Sequence, residues 1–265
     1  MRLLALACLL VPMCPIFPAM PEAHAEECPV PTGFITKTTT VDGVTRRHAV
    51  YVPADYSPDK AWPLVVFLHG AGERGDDGLL HTEVGIGTAI RRNAERFPAI
   101  VVFPQCPKDK FWDSILSELE AILAQTEADY AIDPQRRYLT GLSMGGYGCW
   151  TWGADRADYF AALLPICGGG TPEDMNRITA TPIDTSKFGP LKERVDRLAT
   201  LPIWAFHGMK DMTVPPFRTK QMVRMVKRAN GNIQHTEYDD EGHDVWNTVY
   251  ADEKVIGWMF EQRRK

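Results

Sequence analysis

Gly141-Leu142-Ser143-Met144-Gly145 is the part of this chain best suited to covalent chemistry: a serine with a glycine two residues away on either side. It follows Tyr138-Leu139-Thr140 and precedes Gly146 and Tyr147-Gly148-Cys149-Trp150-Thr151-Trp152, so it reads as a sharp turn from a strand into a helix. Such a turn lifts the hydroxyl above the end of a sheet and needs glycine where backbones crowd together. It also aims the N–H groups of the new helix at the reacting carbon. The chemistry suggested is acyl transfer to serine; a small-residue turn that happens to hold a serine is the plainer alternative. At neutral pH a serine hydroxyl is a weak nucleophile, so the scheme needs a base within hydrogen-bond reach and an acid that orients the base.

Chain order places acid and then base after the serine. Of the seven histidines, only His235 and His243 follow Ser143 far enough to lie beyond the last strand. His235 sits in the alternating stretch Asn232 to Tyr238 and is expected to be an exposed strand residue. His243, in Glu241-Gly242-His243-Asp244, occupies the turn after that strand and is the predicted base. Asp211 follows the run Ile203 to Phe206 and is the predicted acid, ahead of Asp239, Asp240 and Asp244. His207 in the same loop is expected to be structural. The loop Leu68-His69-Gly70-Ala71-Gly72-Glu73-Arg74-Gly75 is small enough at its centre to let backbone approach a substrate oxygen. The N–H groups of Ala71 and Met144 are the predicted oxyanion donors. His69 is expected to brace this loop, and Glu73 and Arg74 to pair with each other, with substrate contact by Arg74 the alternative.

These residues must be carried by a sheet. Leu64 to Leu68, Ala99 to Phe103, Arg137 to Thr140, Ala161 to Ile166 and Ile203 to Phe206 are apolar runs of the kind that form strands covered on both faces. Two Thr- and Val-rich stretches between Phe34 and Pro53 flank Asp42-Gly43, which predicts an antiparallel hairpin at the sheet edge. Helices are predicted over Ser114 to Tyr130, Phe217 to Ala229 and Thr248 to Gln262, with a short one from Leu191 to Leu198. The expected class is α/β: a mostly parallel central sheet with an antiparallel N-terminal hairpin and helices on both faces. Residues 168–201 form an unusually long connection, predicted to act as a partial lid; a surface excursion is the alternative. Trp112 and Trp246 flank the predicted loops and are candidate substrate-binding residues, with core packing the alternative.

The first 25 residues, with Arg2, an apolar run from Leu3 to Val11 and Ala23-His24-Ala25, have the pattern of a signal peptide, which predicts a secreted or periplasmic protein. The run is broken by Pro12, Pro15 and Pro18 and is too short to span a membrane. Residues 26–265 are of a length for one domain with a full core. A net charge of −5 supplies no basic stripe for a phosphate backbone, so nucleic acid is not an expected partner. Cys28, Cys106, Cys149 and Cys167 would remain after cleavage; their pairing is not readable from spacing, and buried free thiols are expected. No ligand spacing calls for a metal, and no cofactor is expected.

With Pro104-Gln105-Cys106-Pro107, Pro165-Ile166-Cys167-Gly168-Gly169-Gly170 and Gly242-His243-Asp244-Val245-Trp246 added to the loops above, the sequence resembles the carboxylesterase, feruloyl-esterase and polyhydroxybutyrate-depolymerase-like branch of the α/β-hydrolases, from Phe34 to Phe260. The resemblance implies the α/β-hydrolase fold, ester hydrolysis and the same triad and oxyanion roles. The long 168–201 connection departs from that pattern and leaves the choice of ester open. A serine peptidase with the same triad and a non-catalytic binding protein on this scaffold are the competing readings.

Overall fold

A computed structural model describes residues 30–170 and 190–264. The segment 1–25 predicted to be a leader, Cys28 and most of the 168–201 connection lie outside the described residues. The chain enters through β1 (Gly33–Val41) and β2 (Val44–Val52). Asp42 and Gly43 between them take φ of 49° and 78°, the paired left-handed conformation of a tight two-residue hairpin turn. The hairpin is antiparallel and stands at the sheet edge, as expected.

Next come β3 (Trp62–Leu68), β4 (Ile100–Pro104), β5 (Ile132–Leu142), β6 (Ala162–Ile166), β7 (Ile203–Gly208) and β8 (Ile233–Tyr238). The eight strands lie in the order β1-β2-β4-β3-β5-β6-β7-β8. β2 meets β4 antiparallel, and every pairing from β4 through β3 to β8 is parallel. All seven residues of β3 are buried, because alternate side chains enter different cores. Leu64, Val66 and Leu68 join one cluster, and Val65 and Phe67 the other. The chain has the α/β-hydrolase fold, and Pro31–Lys265 makes one compact unit.

Among the described residues the helices are α1 (Ile86–Arg92), α2 (Leu116–Asp129), α3 (Met144–Asp155), α4 (Leu191–Leu198), α5 (Phe217–Arg228), α6 (Trp246–Ala251) and α7 (Glu253–Glu261). Leu119, Ile122 and Leu123 of α2 pack with Trp150 of α3, Leu198 of α4 and Val226 of α5 over one face. Ile86 and Ile90 of α1, Val249 and Tyr250 of α6 and Ile256 and Met259 of α7 cover the other.

Two expectations change. The helix predicted from Thr248 to Gln262 is two helices, since Asp252 is extended and its carboxylate accepts the Lys254 N–H at 2.8 Å, capping a new start. Ser114 closes a short 3-10 turn, Trp112–Ser114, instead of opening α2. Between β3 and β4, where no element was predicted, the chain forms three short 3-10 turns and α1.

Candidate active site

The turn at Ser143 is built as its glycines require. Ser143 has φ 52° and ψ −117°, a region that side chains rarely occupy and that persists only where the surroundings enforce it. Here they do. A Cβ on Gly145 would lie 1.8 Å from the Leu68 carbonyl oxygen, and one on Gly141 would lie 2.7 Å from the Gly145 carbonyl. β3, β5 and the start of α3 therefore approach at distances only glycine allows. The Ser143 N–H donates to the Ile166 carbonyl at 3.0 Å, so the turn is also tied to β6.

Asp211 and His243 arrive on the loops that follow β7 and β8. The Met209 N–H donates to Tyr238 O and the Lys210 N–H to Glu241 O, both at 2.9 Å. A Cβ on Gly208 would sit 2.1 Å from the Gly242 carbonyl oxygen. With the two loops joined in this way, His243 Nε2 lies 2.9 Å from Ser143 Oγ, and His243 Nδ1 lies 2.7 Å from Asp211 Oδ2. The three residues singled out in sequence meet in hydrogen-bond order. Asp240 instead pairs with Lys210 at 2.7 Å, and Asp239 and Asp244 are exposed.

Asp211 is suited to stay ionised. Oδ1 accepts the N–H groups of Thr213 and Val214, each at 2.8 Å, and Oδ2 faces His243 and also His207, at 3.1 Å. Burial alone would raise this carboxyl, but the hydrogen bonds from His207, His243 and Val214 outweigh it and hold the group far below the usual carboxylate range. The His207 contact was not foreseen; its one sequence signal is the four-residue spacing to Asp211.

Ala71 opens a 3-10 turn, Ala71–Glu73, and Met144 opens α3, where the first N–H groups have no intrahelical partner. His69 braces the first of these loops. The Cys106 N–H donates to Nε2 at 3.0 Å, so the ring proton is on Nδ1, which donates to Gly70 O at 2.6 Å. Burial holds His69 down to about 3, in keeping with a neutral ring. Because a peptide is planar and trans, fixing the Gly70 carbonyl also fixes the Ala71 N–H, which points the opposite way. Glu73 and Arg74 do not pair as expected: Arg74 donates to Ala71 O at 3.0 Å and lies over the Phe111 ring. Burial raises the Glu73 carboxyl, against hydrogen bonding from the Gly70 N–H and a neighbouring His243.

Trp112 is 2 % exposed and packs against His69, its indole N–H donating to His69 O at 3.2 Å and its ring edge-on to His69 at 4.7 Å. That is the packing alternative. Trp246 is partly exposed and stands edge-to-face with His243 at 5.3 Å. His235 is mostly buried, not exposed as predicted, because its side of β8 is covered; burial lowers it to about 4. Cys106, Cys149 and Cys167 are buried free thiols, and burial pushes all three up. Cys167, His207 and Asp211 bring possible ligand atoms within 4.8 Å of one another. These atoms are already engaged: the Cys167 thiol donates to His243 O at 3.2 Å, and His207 Nε2 meets Asp211 Oδ2.

An α/β-hydrolase sheet with serine, acid and histidine loops at the carboxyl ends of its strands defines the class. Residues 114–264, more than half of the chain, match the prolyl oligopeptidase family, and the chain belongs to that family. It is 30% identical over 139 residues to probable feruloyl esterase C of Aspergillus oryzae, covering 49% of this chain and 51% of that protein. It is 26% identical over 187 residues to endo-1,4-beta-xylanase Y of Acetivibrio thermocellus, covering 63% of this chain and 17% of that one. The chain thus spans about half the length, or much less, of these curated relatives. Among solved structures it resembles a thermostable esterase with TM-score 0.72 and 32% identity, covering 87% of this chain and 63% of that one. A ferulic acid esterase at TM-score 0.67 and 19% identity, covering 86% and 97%, shares the fold. Among the described residues, no helix is long and apolar enough to cross a membrane.

Proposed function

We propose that the chain is a secreted serine esterase that cleaves carboxylic esters through an acyl-enzyme on Ser143. The observation that carries the reading is the unbroken chain from Ser143 Oγ through His243 to Asp211 Oδ2, at 2.9 and 2.7 Å, anchored on a serine with positive φ. His243 Nε2 takes the hydroxyl proton as Oγ attacks the ester carbon, while Asp211 holds the Nδ1–H and steadies the imidazolium that forms. The N–H groups of Ala71 and Met144 receive the oxyanion. His243 then protonates the departing alcohol, and water attacks the acyl-enzyme by the reverse of the same steps. Trp246 offers a flat wall for the acyl or alcohol group. The esterase and feruloyl esterase relatives favour an ester over an amide, and the leader over residues 1–25 supports export.

Hydrolysis of p-nitrophenyl acetate and butyrate, with fluorophosphonate labelling of Ser143, tests the reading. Ser143→Ala should abolish both while the fold stays intact; activity retained near the parent level would overturn it. The family match gives a peptidase as the second reading. It would be favoured if aminoacyl p-nitroanilides were cleaved more efficiently than a panel of short-chain, feruloyl and carbohydrate acetyl esters.

A further inference from the structure

The hydrogen bonds around His207 leave little freedom over where its protons lie. The Thr219 hydroxyl, which has one proton, donates to Gly168 O at 2.6 Å, and the same oxygen lies 2.7 Å from His207 Nδ1. Nδ1 must therefore donate. On the other side of the ring, Nε2 faces two acceptors, Asp211 Oδ2 at 3.1 Å and the Val214 carbonyl at 2.9 Å. Nε2 must carry a proton as well. If the Thr219 hydroxyl turned to Nδ1 instead, two oxygens would face each other at 2.6 Å with no proton between them. The His207 and Asp211 side chains are both fully buried, where an unpaired charge is costly and a paired, fully hydrogen-bonded one can persist.

Resting on the esterase reading above, we propose that His207 is a positioning residue: a buried imidazolium that shares Asp211 Oδ2 with His243 and sets the pH range over which His243 can act as base. Two imidazole rings approach one carboxylate oxygen, so positive charge on His207 offsets part of the negative charge that would otherwise stabilise protonated His243. The base then stays free of its proton to lower pH, and the enzyme stays active further into the acid range. The other groups facing His207 are the Cys167 thiol from the end of β6, His235 and Glu237 from β8, and Thr219 from α5. Of these only Thr219 accepts the Nδ1 proton, which makes it the point of control.

Thr219→Val keeps the shape but removes that acceptor, so His207 should become neutral while Nε2–H still reaches Asp211. The acid limb of the kcat/KM against pH profile should then move up by about half a pH unit or more. Activity at pH 5 relative to pH 8 should fall roughly threefold, with KM changed less than twofold. Thr219→Ser, which restores a hydroxyl, should recover the parent profile, and His207→Gln should shift it as Thr219→Val does. A role as a mere strut would lower stability in these variants and leave the profile in place. Superimposable profiles for the parent, Thr219→Val and His207→Gln would overturn the proposal. Should the variants fail to fold, nitrogen-15 shifts of His207 in the parent at pH 7 decide: two protonated ring nitrogens support it, and a neutral tautomer refutes it. A parent that fluorophosphonate does not label would sink the esterase reading instead, and the nitrogen shifts would still judge His207.

Discussion

His69 connects the core to the loop at Gly70 and Ala71, the proposed oxyanion site, and replacing it in two ways separates its two bonds. The ring is fully buried, donates to Gly70 O and accepts from the Cys106 N–H. His69→Ala leaves both backbone groups unpaired, at about 2 kcal/mol each, and opens a cavity beside Trp112 worth about 2 kcal/mol more. The sum is a large share of the roughly 5–15 kcal/mol that holds a domain together. It corresponds to a fall in Tm on the order of 15 °C for a domain of this size. Freed from its carbonyl anchor, the Gly70–Ala71 peptide no longer presents a fixed N–H. Loss of one oxyanion donor costs about 3 kcal/mol, or about a hundredfold in kcat. In His69→Asn the side-chain amide can still donate to Gly70 O but no longer reaches Cys106. It should lose stability while keeping kcat within about tenfold of the parent. Thermal unfolding together with kcat and KM for p-nitrophenyl butyrate distinguishes the two variants. If His69→Ala unfolds early but keeps the parent kcat, the Ala71 N–H is not oriented through His69 and the oxyanion assignment is wrong.

Gly145→Ala should abolish soluble, fluorophosphonate-reactive protein, because the added methyl would meet the Leu68 carbonyl at 1.8 Å and neither backbone can retreat; an unchanged Tm would contradict the packing described. The chain should be acid-labile. Burial lowers His48 and His81 to about 4 and His69 to about 3. Below pH 6.5 the unfolded chain therefore takes up protons that the folded one refuses. Stability should be full above that pH and fall towards pH 4 by up to about 1.4 kcal/mol per pH unit for each such histidine. Urea titrations should show a shallower slope in His48→Leu, and equal slopes would mean that His48 is not neutral in the fold. Trp246→Ala should raise KM several-fold for aromatic esters and much less for acetyl esters, since the indole stands beside His243; equal effects on both would remove Trp246 from the pocket.

The meeting of Ser143, His243 and Asp211 in one hydrogen-bonded series was legible because its determinants are local. Ser143 is announced by glycines two residues away on either side, and Asp211 and His243 by turns directly after strand-like runs. The apolar runs gave the strands for the same reason, since residues buried on both faces leave a continuous signature. What could not be read depends on partners distant in sequence. His235 looked exposed because alternation shows which residues share a face but not whether that face is covered. Trp112 looked like a pocket wall because it flanks a loop predicted to be catalytic, yet its indole reaches back to His69 O. Glu73 and Arg74 are adjacent and of opposite charge, but the turn at Ala71–Glu73 sends the guanidinium back to Ala71 O. The second imidazole on Asp211 required the loop after β7 to fold back on its own strand, and the four-residue spacing from His207 to Asp211 is too common a pattern to announce it.

The sheet itself continues into the loops that follow β5, β6 and β7. The first residue past β5 donates its N–H to the end of β6, from Ser143 to Ile166 O at 3.0 Å. The first residue past β6 does the same to β7, from Cys167 to Phe206 O at 3.0 Å. The first residue past β7 does the same to β8, from Met209 to Tyr238 O at 2.9 Å. Each loop thus leaves its strand one residue later than the neighbouring ladder would require, and two of these residues, Ser143 and Cys167, take positive φ to turn away afterwards. Positive φ at a non-glycine residue costs on the order of 1–3 kcal/mol, more than one ladder hydrogen bond returns on average, so the bond alone does not hold the turn. The remainder comes from contacts that only the turned conformation makes. Gly146 lies against Ile166 O, and Gly168 against the Gly146–Tyr147 peptide, so closely that a Cβ at either site would fall 2.4 Å from backbone. The strain at Ser143 and Cys167 is therefore held by the packing of α3 on β6. By the same reasoning, the position of Ser143 depends more on the small residues at 145, 146 and 168 than on the side chains around its hydroxyl.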